Sequence, residues 1–396
     1  MKILILSCNN GGGHNAVAAA LKERFSERGD DCCIVDAMSF LPAGWSKLMS
    51  ETHSFIYRHC PELYRSGYSH AEEHRQSFQY RHSVSNLMSL GARSLKDCLA
   101  GEGFDAALCT NVFAGVLLSI TVRKYALRLP TGIVETDYTA TPGAEACLLD
   151  WHFVPSAEIG AELERLGVPA ERIVFSGIPV RRQFSRSVPK ERAKLRLGLR
   201  CSQKHIVLSC GSMGCGPMEE LLSELAARLD KNEAVTVVCG TNRKRRRRLE
   251  KRYRASGSMR VLGKVENMSL LLDSADVYVT KPGGISTTEA ACKAVPMVLV
   301  DTVGGCEQYN LDYFVHLGGA VTSDSVPALA EAALQIVRSR QLVSDMSDAL
   351  RRFSASVRPE RIVATVEECV KQDKAPAALD PKKISKYWNK ISLHYI

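Results

Sequence analysis

Twice along the chain a short apolar run ends in clustered glycines and passes into an amphipathic stretch, and this repetition constrains the fold more than any other feature. The first instance runs from Ile3 to Ser7 through Asn9-Asn10-Gly11-Gly12-Gly13-His14. It enters a stretch where Val17, Leu21 and Phe25 recur at helical spacing and Gly29 closes the pattern. The second runs from His205 to Ser209 through Cys210-Gly211-Ser212-Met213-Gly214-Cys215-Gly216-Pro217 into a stripe of Met218, Leu221, Leu222, Leu225 and Leu229. Strand-like runs then alternate with helical ones: 106–110, 131–136 and 173–176 in the first half, 234–239, 277–280 and 297–300 in the second. That rhythm specifies parallel sheets covered on both faces. The α/β chain is therefore expected to form two doubly wound domains facing each other across a cleft.

The 396 residues suffice for two domains with separate cores, and 45% apolar with 24% charged residues is a globular composition. No run approaches the roughly 18 to 20 apolar residues that span a bilayer, and Met1 to Ser7 is too short for a secretory signal. The expected location is cytoplasmic, with any membrane contact peripheral. The 14 cysteines include no Cys-x-x-Cys pair, and Cys109, Cys210 and Cys239 lie in strand-like runs, as buried thiols of a reducing compartment do.

Most of the formal charge of +9 sits in one segment, Arg243 to Arg254, which reads RKRRRRLEKRYR. Such a run suits an anionic partner, acidic lipid headgroups or nucleic acid, or it is a solvated helix face. Only Tyr253 interleaves it, so base stacking is poorly served and no nucleic-acid partner is expected. Phe40 to Tyr80 mixes Trp45, Phe55, Tyr57, Tyr64, Tyr68, Phe78 and Tyr80 with histidines and arginines. It reads either as an interfacial surface or as an insertion packing its rings on its own domain. The tail, with Pro381-Lys382-Lys383-Ile384-Ser385-Lys386-Tyr387-Trp388, is also basic and aromatic.

A third glycine turn, Lys281-Pro282-Gly283-Gly284-Ile285-Ser286-Thr287-Thr288-Glu289, carries the most chemistry. Glycines let a backbone approach an anion and aim unpaired N–H groups at it. None of the three turns fits the Gly-Lys-Ser/Thr phosphate loop, and the first does not match G-x-G-x-x-G. Ser286, Thr287 and Thr288 at a helix start can cap it and donate to phosphate. Glu289, read as first-turn, either accepts both ribose hydroxyls of a nucleotide or simply favours the helix dipole.

Several segments together resemble the monogalactosyldiacylglycerol synthase and processive diacylglycerol glucosyltransferase family. They are Gly11-Gly12-Gly13-His14, Leu166-Gly167-Val168-Pro169 with Gly177-Ile178-Pro179-Val180, Val265-Glu266-Asn267-Met268, Ala275-Asp276, and Thr280 to Ser286 with Glu289-Ala290. They span nearly the whole chain in order. A more distant similarity is to the N-acetylglucosaminyltransferase that completes the lipid-linked peptidoglycan precursor. The resemblance implies a GT-B fold of two Rossmann-like domains: an acceptor domain over 1–180, a linker over 181–200, a UDP-sugar domain over 201–370 and the tail over 371–396.

By the same resemblance Gly283, Gly284, Ser286 and Thr287 lie near the phosphates, Gly211 and Ser212 join the nucleotide contacts, and Glu289 takes the ribose. Val265 to Met268 lines the uracil. Gly305-Cys306-Glu307-Gln308-Tyr309-Asn310 resembles the family's Gly-Gln-Glu-x-x-Asn, which implies Glu307 and Asn310 on the hexose. His14 is the candidate base, since a histidine after a glycine turn can take a hydroxyl proton near neutral pH. Asp137 is either the rival base or the group that orients His14. No Asp-x-Asp occurs, so no metal is expected on the diphosphate. The implied reaction is an inverting transfer of a hexose from a UDP-sugar to diacylglycerol or a related glycolipid, with a polyprenyl-linked or other hydrophobic acceptor as the alternative. The implied partners are therefore UDP-hexose, a lipid acceptor and an anionic membrane surface. Thr141 and Ala144 stand where the family carries histidine and tryptophan, and Cys306 replaces its glutamine.

Overall fold

Each apolar run of the opening pattern becomes an interior strand of its own six-stranded parallel sheet. The computed structural model describes residues 1–9, 12–45, 48, 51–52, 55–56, 60–300 and 304–371. Gly11, Tyr57 and the 381–388 tail fall outside them.

In the first sheet β1 (Lys2–Ser7), β2 (Asp31–Asp36), β3 (Ala106–Cys109), β4 (Thr131–Val134), β5 (Trp151–Val154) and β6 (Ile173–Phe175) lie in the order β2-β1-β3-β4-β5-β6. Ile3 through Leu6 are fully buried, because helices cover both faces of a parallel sheet. The helix Gly12–Ser26 buries Val17, Leu21 and Phe25, the stripe expected from spacing.

In the second sheet β7 (Lys204–Ser209), β8 (Glu233–Val238), β9 (Met259–Leu262), β10 (Val277–Thr280), β11 (Met297–Leu299) and β12 (Ala320–Val321) run β12-β11-β10-β7-β8-β9. Fully buried His205 in β7 has both ring nitrogens engaged, by Ser274 Oγ and Thr236 Oγ1 at 2.8 Å each. Burial lowers its pKa to about 4, so it is a neutral strut. The helix Met218–Arg228 buries Met218, Leu221, Leu222 and Leu225, while Leu229 falls just beyond it.

The order of connection reverses between β1 and β3 in one sheet and between β7 and β10 in the other. At such a switch point the loops leaving the carboxyl ends of the two strands part and leave a crevice.

The chain divides into two units, 1–181 with 357–396 and 182–356. Two expected boundaries differ. The segment read as a linker forms the helices Arg182–Ser185 and Lys190–Arg196 within the second unit. Lys190 and Lys194 clamp Asp276 there at 3.0 and 2.8 Å. The helix Glu360–Lys371, read as the end of the second domain, packs on the first unit instead. Arg358 N donates to Ser176 O at 2.8 Å, the Arg361 guanidinium donates to Phe175 O at 3.0 Å, and Arg28 pairs with Glu367. An amphipathic helix shows that it packs but not on what.

None of the 14 cysteines is in a disulfide. Burial pushes the thiol of Cys210 up to about 12 and that of Cys239 up to about 11. No described helix is long and apolar enough to cross a membrane.

Candidate functional site

In the first unit the loop after β1 is pinned by a relay of short polar side chains. Ser7 Oγ donates to Asn15 Oδ1 at 2.6 Å, Asn15 Nδ2 to Asn9 Oδ1 at 2.8 Å, and Asn9 Nδ2 to Asp36 Oδ2 at 2.9 Å. This fixes the start of the helix Gly12–Ser26 and with it half-buried His14. The ring meets the residues that follow β3, the partner strand at the switch point. Its Nδ1 lies 2.7 Å from Thr110 O, which can only accept, so Nδ1 carries the proton and Nε2 the lone pair. Asn111 Nδ2 donates to Nε2 at 3.1 Å. Asn111 Oδ1 is itself fixed by accepting from Phe113 N at 3.0 Å, as the cap of the helix Val112–Lys124.

Thr136 Oγ1 lies 3.3 Å from His14 Nδ1 and donates to Asp137 Oδ2 at 3.2 Å. Asp137 is thus linked to the imidazole through a hydroxyl. Burial lowers the His14 pKa, with the Asp137 charge and the Thr110 carbonyl opposing it. The ring is therefore neutral at neutral pH, with its lone pair on the nitrogen that accepts from Asn111. Sequence alone singles out His14 and Asp137 but gives no reason to choose Thr110, Asn111 or Thr136. The signal available was an asparagine placed between a buried strand and an apolar helix at a switch point.

In the second unit the turn after β7 and the turn after β10 meet. A Cβ on Gly211, whose φ is +74°, would fall 2.8 Å from Lys281 Cε, so the lysine stem lies against the glycine backbone. Ser212 O accepts from Thr241 N at 2.8 Å, which ties in the turn after β8. Val265 and Met268, both partly buried, lie beyond the carboxyl end of the neighbouring β9.

Gly283 is the cap of the helix Gly284–Cys292 and supplies no capping side chain. The space where its Cβ would sit is nearly open, Lys281 Cε being 3.9 Å away. Amides of the first turn can therefore be approached by an anion.

Three residues of this turn differ from expectation. Thr287 is fully buried, and its hydroxyl donates to Gly283 O and Gly284 O at 3.0 and 3.1 Å rather than pointing outward. Thr288 does the same with Gly284 O at 2.6 Å. Both lie inside the helix rather than at its cap, where hydroxyls bond back to preceding carbonyls. Partly exposed Ser286 is the hydroxyl left at the surface of the turn. Glu289 is the sixth helical residue, and no acid occupies the first turn. The dipole effect fades within one turn, so it does not explain Glu289.

Glu307 and Asn310, both buried, sit on the helix Cys306–His316 behind the same turn. Glu307 forms a salt bridge with Lys281, and Asn310 Nδ2 donates to Pro282 O at 2.9 Å. Asn310 is fully buried and braces the backbone of the turn rather than standing at its surface. Lys281 opens the turn, with its stem near both Gly211 and Gly283.

Among the described residues one side-chain group has metal-ligand spacing, His70, Glu73 and His74, at the end of the exposed helix Pro61–Glu73.

The helix Arg243–Tyr253 buries only Leu249. Arg245 and Arg248 pair with Glu219 at 3.4 and 3.0 Å, and Arg246 with Glu250 at 2.7 Å. Arg243, Lys244, Arg247, Lys251 and Arg254 are exposed on the face opposite Leu249. In the first unit Trp45, Phe55 and Tyr80 are among the exposed large side chains, whereas Phe78 is buried against Phe113 with ring centroids 6.0 Å apart. The aromatic segment thus divides between a surface and a core role.

Residues 14–180 match the family described as monogalactosyldiacylglycerol (MGDG) synthase, and residues 203–353 match glycosyl transferases group 1. A processive diacylglycerol beta-glucosyltransferase of Bacillus cereus is 30% identical over 347 residues, covering 84% of this chain and 86% of that protein. The chain belongs to this glycosyltransferase family. A second member, the processive diacylglycerol beta-glucosyltransferase of Bacillus cytotoxicus, is 27% identical over 392 residues, or 96% of each chain. The crystal structure of MurG from Acinetobacter baumannii shares the fold, with a TM-score of 0.60 at 16% identity over 93% of this chain and all of that one. Two Rossmann-like units of this kind are the composition of a GT-B chain.

Proposed function

We propose that the chain transfers a hexose from a UDP-sugar to diacylglycerol, or to a glycolipid derived from it, by a single displacement with inversion. The observation that carries the reading is that one unit holds a poised neutral imidazole and the other an open glycine helix start, in a chain whose relatives are named diacylglycerol glucosyltransferases. The donor diphosphate rests on the amides of Gly283 and Gly284, near Ser286, Gly211 and Ser212. Glu289 grips the ribose, and Val265 and Met268 border the base. Lys281, with Glu307, supplies the cation that answers the charge gathering on departing UDP. Charge stabilisation by amides and a lysine needs no divalent ion.

The acceptor hydroxyl presents its proton along the line that Asn111 now occupies toward His14 Nε2. As the oxygen bonds to the anomeric carbon, the sugar–phosphate bond breaks, UDP leaves with the electron pair and His14 keeps the proton. The imidazolium is stabilised by Asp137 through Thr136. The test is UDP release from UDP-hexoses with diacylglycerol in detergent micelles, alongside calorimetry with UDP. Glu289→Ala is expected to weaken UDP binding by about 10²-fold, the loss of a carboxylate bonded to two hydroxyls. Unchanged affinity would remove the ribose role, and no turnover with any UDP-hexose would remove the reaction.

The acceptor dissolves in membranes, and peripheral association at the cytoplasmic face follows from that reading. Exposed Trp45, Phe55 and Tyr80 suit headgroup depth, and the five cations opposite Leu249 suit anionic lipid. At about 1 kcal/mol per basic residue, replacing Arg243, Lys244, Arg247, Lys251 and Arg254 by glutamine should cut binding to phosphatidylglycerol vesicles by on the order of 10²-fold or more at low salt. The helix should survive, because Leu249 and the Glu219 pairs are untouched. Equal vesicle binding would leave the cations as a solvated face.

A further inference from the structure

At the carboxyl edge of its sheet the first unit holds a buried carboxyl group that the proposed reaction does not use. Glu135 directly follows β4 and is 3% exposed. Its N–H donates to Phe153 O at 2.9 Å, which fixes the backbone. Its Oε1 has no hydrogen-bond partner among the described residues, and the same holds for Oγ1 of fully buried Thr110. Cys109 pairs with Ile133 in the register of β3 and β4, so Thr110 and Glu135 leave the sheet from neighbouring strands at its carboxyl end. Thr110 is the residue whose carbonyl accepts the hydrogen bond from His14 Nδ1 at 2.7 Å. Buried polar atoms are almost always bonded, so two unbonded ones on neighbouring strand ends call for a partner, a ligand group or water.

The charges around the carboxyl come from three segments: Asp137 on its own strand end, Glu145 and Cys147 from the turn beyond, and Arg75 from the turn Arg75–Phe78. Arg75 is committed to Glu145 at 2.9 Å and to Ala140 O at 2.8 Å. Burial pushes the Glu135 carboxyl up to about 8, and Asp137 adds to the rise, while a hydrogen bond with Thr141 and the Arg75 charge oppose it. At neutral pH the group is therefore mostly a neutral acid, able both to donate and to accept a hydrogen bond.

We propose that Glu135 is an acceptor-positioning residue whose carboxyl group, with the Thr110 hydroxyl, hydrogen-bonds a hydroxyl-bearing head of the acceptor beside His14. The assignment rests on the proposed glycosyl transfer. The head is a polyol, the glycerol of diacylglycerol or the sugar of its glycosylated product, since a donor–acceptor acid beside a hydroxyl matches a hydroxyl group and gives no attraction to an anion. Thr141, which hydrogen-bonds Glu135, stands where the family pattern has histidine.

The test is steady-state kinetics of the full chain with diacylglycerol in detergent micelles. Glu135→Leu is expected to raise the acceptor KM by about tenfold or more, with kcat and UDP affinity little changed. Glu135→Gln keeps the hydrogen bonds and should stay near wild type, but lose the alkaline fall in kcat/KM that the wild type shows as the acid ionises around pH 8. Thr110→Val, of the same shape without the hydroxyl, should also raise the acceptor KM and serves if the leucine variant does not fold. Wild-type acceptor KM in the folded variants, or an alkaline limb retained by Glu135→Gln, would overturn the assignment. A wild-type protein inactive on every UDP-hexose would instead overturn the transfer reaction, and this assignment with it.

Discussion

Replacing His14 with alanine should lower kcat by about 10²- to 10³-fold while UDP still binds as in the wild type. The expectation follows from the proton inventory of the ring. Thr110 O fixes the proton on Nδ1 at 2.7 Å, so Nε2 holds the lone pair, and burial keeps the ring neutral. A base must be unprotonated to act. With its pKa depressed, His14 loses activity as pH falls only below the ordinary imidazole range. The wild-type kcat/KM should therefore hold its plateau through mildly acidic pH and drop below it. Thr136→Val cuts the hydroxyl link to Asp137. It should cost less, about tenfold, because the developing imidazolium still feels the carboxylate charge. Asp137→Asn separates the two roles open for that residue. If Asp137 were the base, Asp137→Asn would itself lose about 10²- to 10³-fold, and His14→Ala would turn over near normally. That second result would sink the role assigned to the imidazole.

The strands were the most legible part of the sequence, and the reason is physical. Parallel strands buried on both faces need unbroken apolar runs, as in Ile3–Leu6 and Ile206–Leu208, and no other arrangement hides such runs so cheaply. Glycine turns after them announced the switch points, because only backbone free of Cβ can pack loop on loop there. Long-range addresses were not legible. Glu360–Lys371 carries an amphipathic face but nothing that says it returns to the first sheet.

Side-chain direction was the other blind spot. Ser286, Thr287 and Thr288 look equivalent in sequence, yet two of the three hydroxyls turn back into the helix, because its cap falls at Gly283 rather than further along. One-residue shifts of a helix start thus reassign hydroxyls from ligand to backbone, and moved Glu289 out of the first turn. Asn111, Thr136 and Lys281 are ordinary residues whose roles come only from what the switch point brings beside them. Glu135 is different. A buried acid directly after the apolar run of β4 breaks the local pattern, and such a break is a signal that packing alone does not explain the residue.

Gly214→Ala and Gly240→Ala should each cost the second unit about 3 kcal/mol or more, or else abolish UDP binding by displacing the turns. Both glycines have positive φ, +57° and +56°. A Cβ on Gly214 would lie 2.2 Å from Cys239 O, and one on Gly240 would lie 2.2 Å from Ser212 O. In each case the obstacle is backbone, which no rotamer change can clear, and left-handed strain adds to it. The turns after β7 and β8 are locked by Thr241 N donating to Ser212 O at 2.8 Å, so either clash must open that lock or push Gly211 off the Lys281 stem. Since Gly211 and Ser212 border the proposed diphosphate site, loss of packing and loss of nucleotide affinity have one cause here. Gly257→Ala is the control, as it has ordinary φ and nothing within 4 Å of its Cβ. It should leave thermal unfolding and UDP calorimetry unchanged. Wild-type melting and wild-type UDP affinity in both Gly214→Ala and Gly240→Ala would show that the two turns do not interlock as described, and that the donor site does not depend on their close approach.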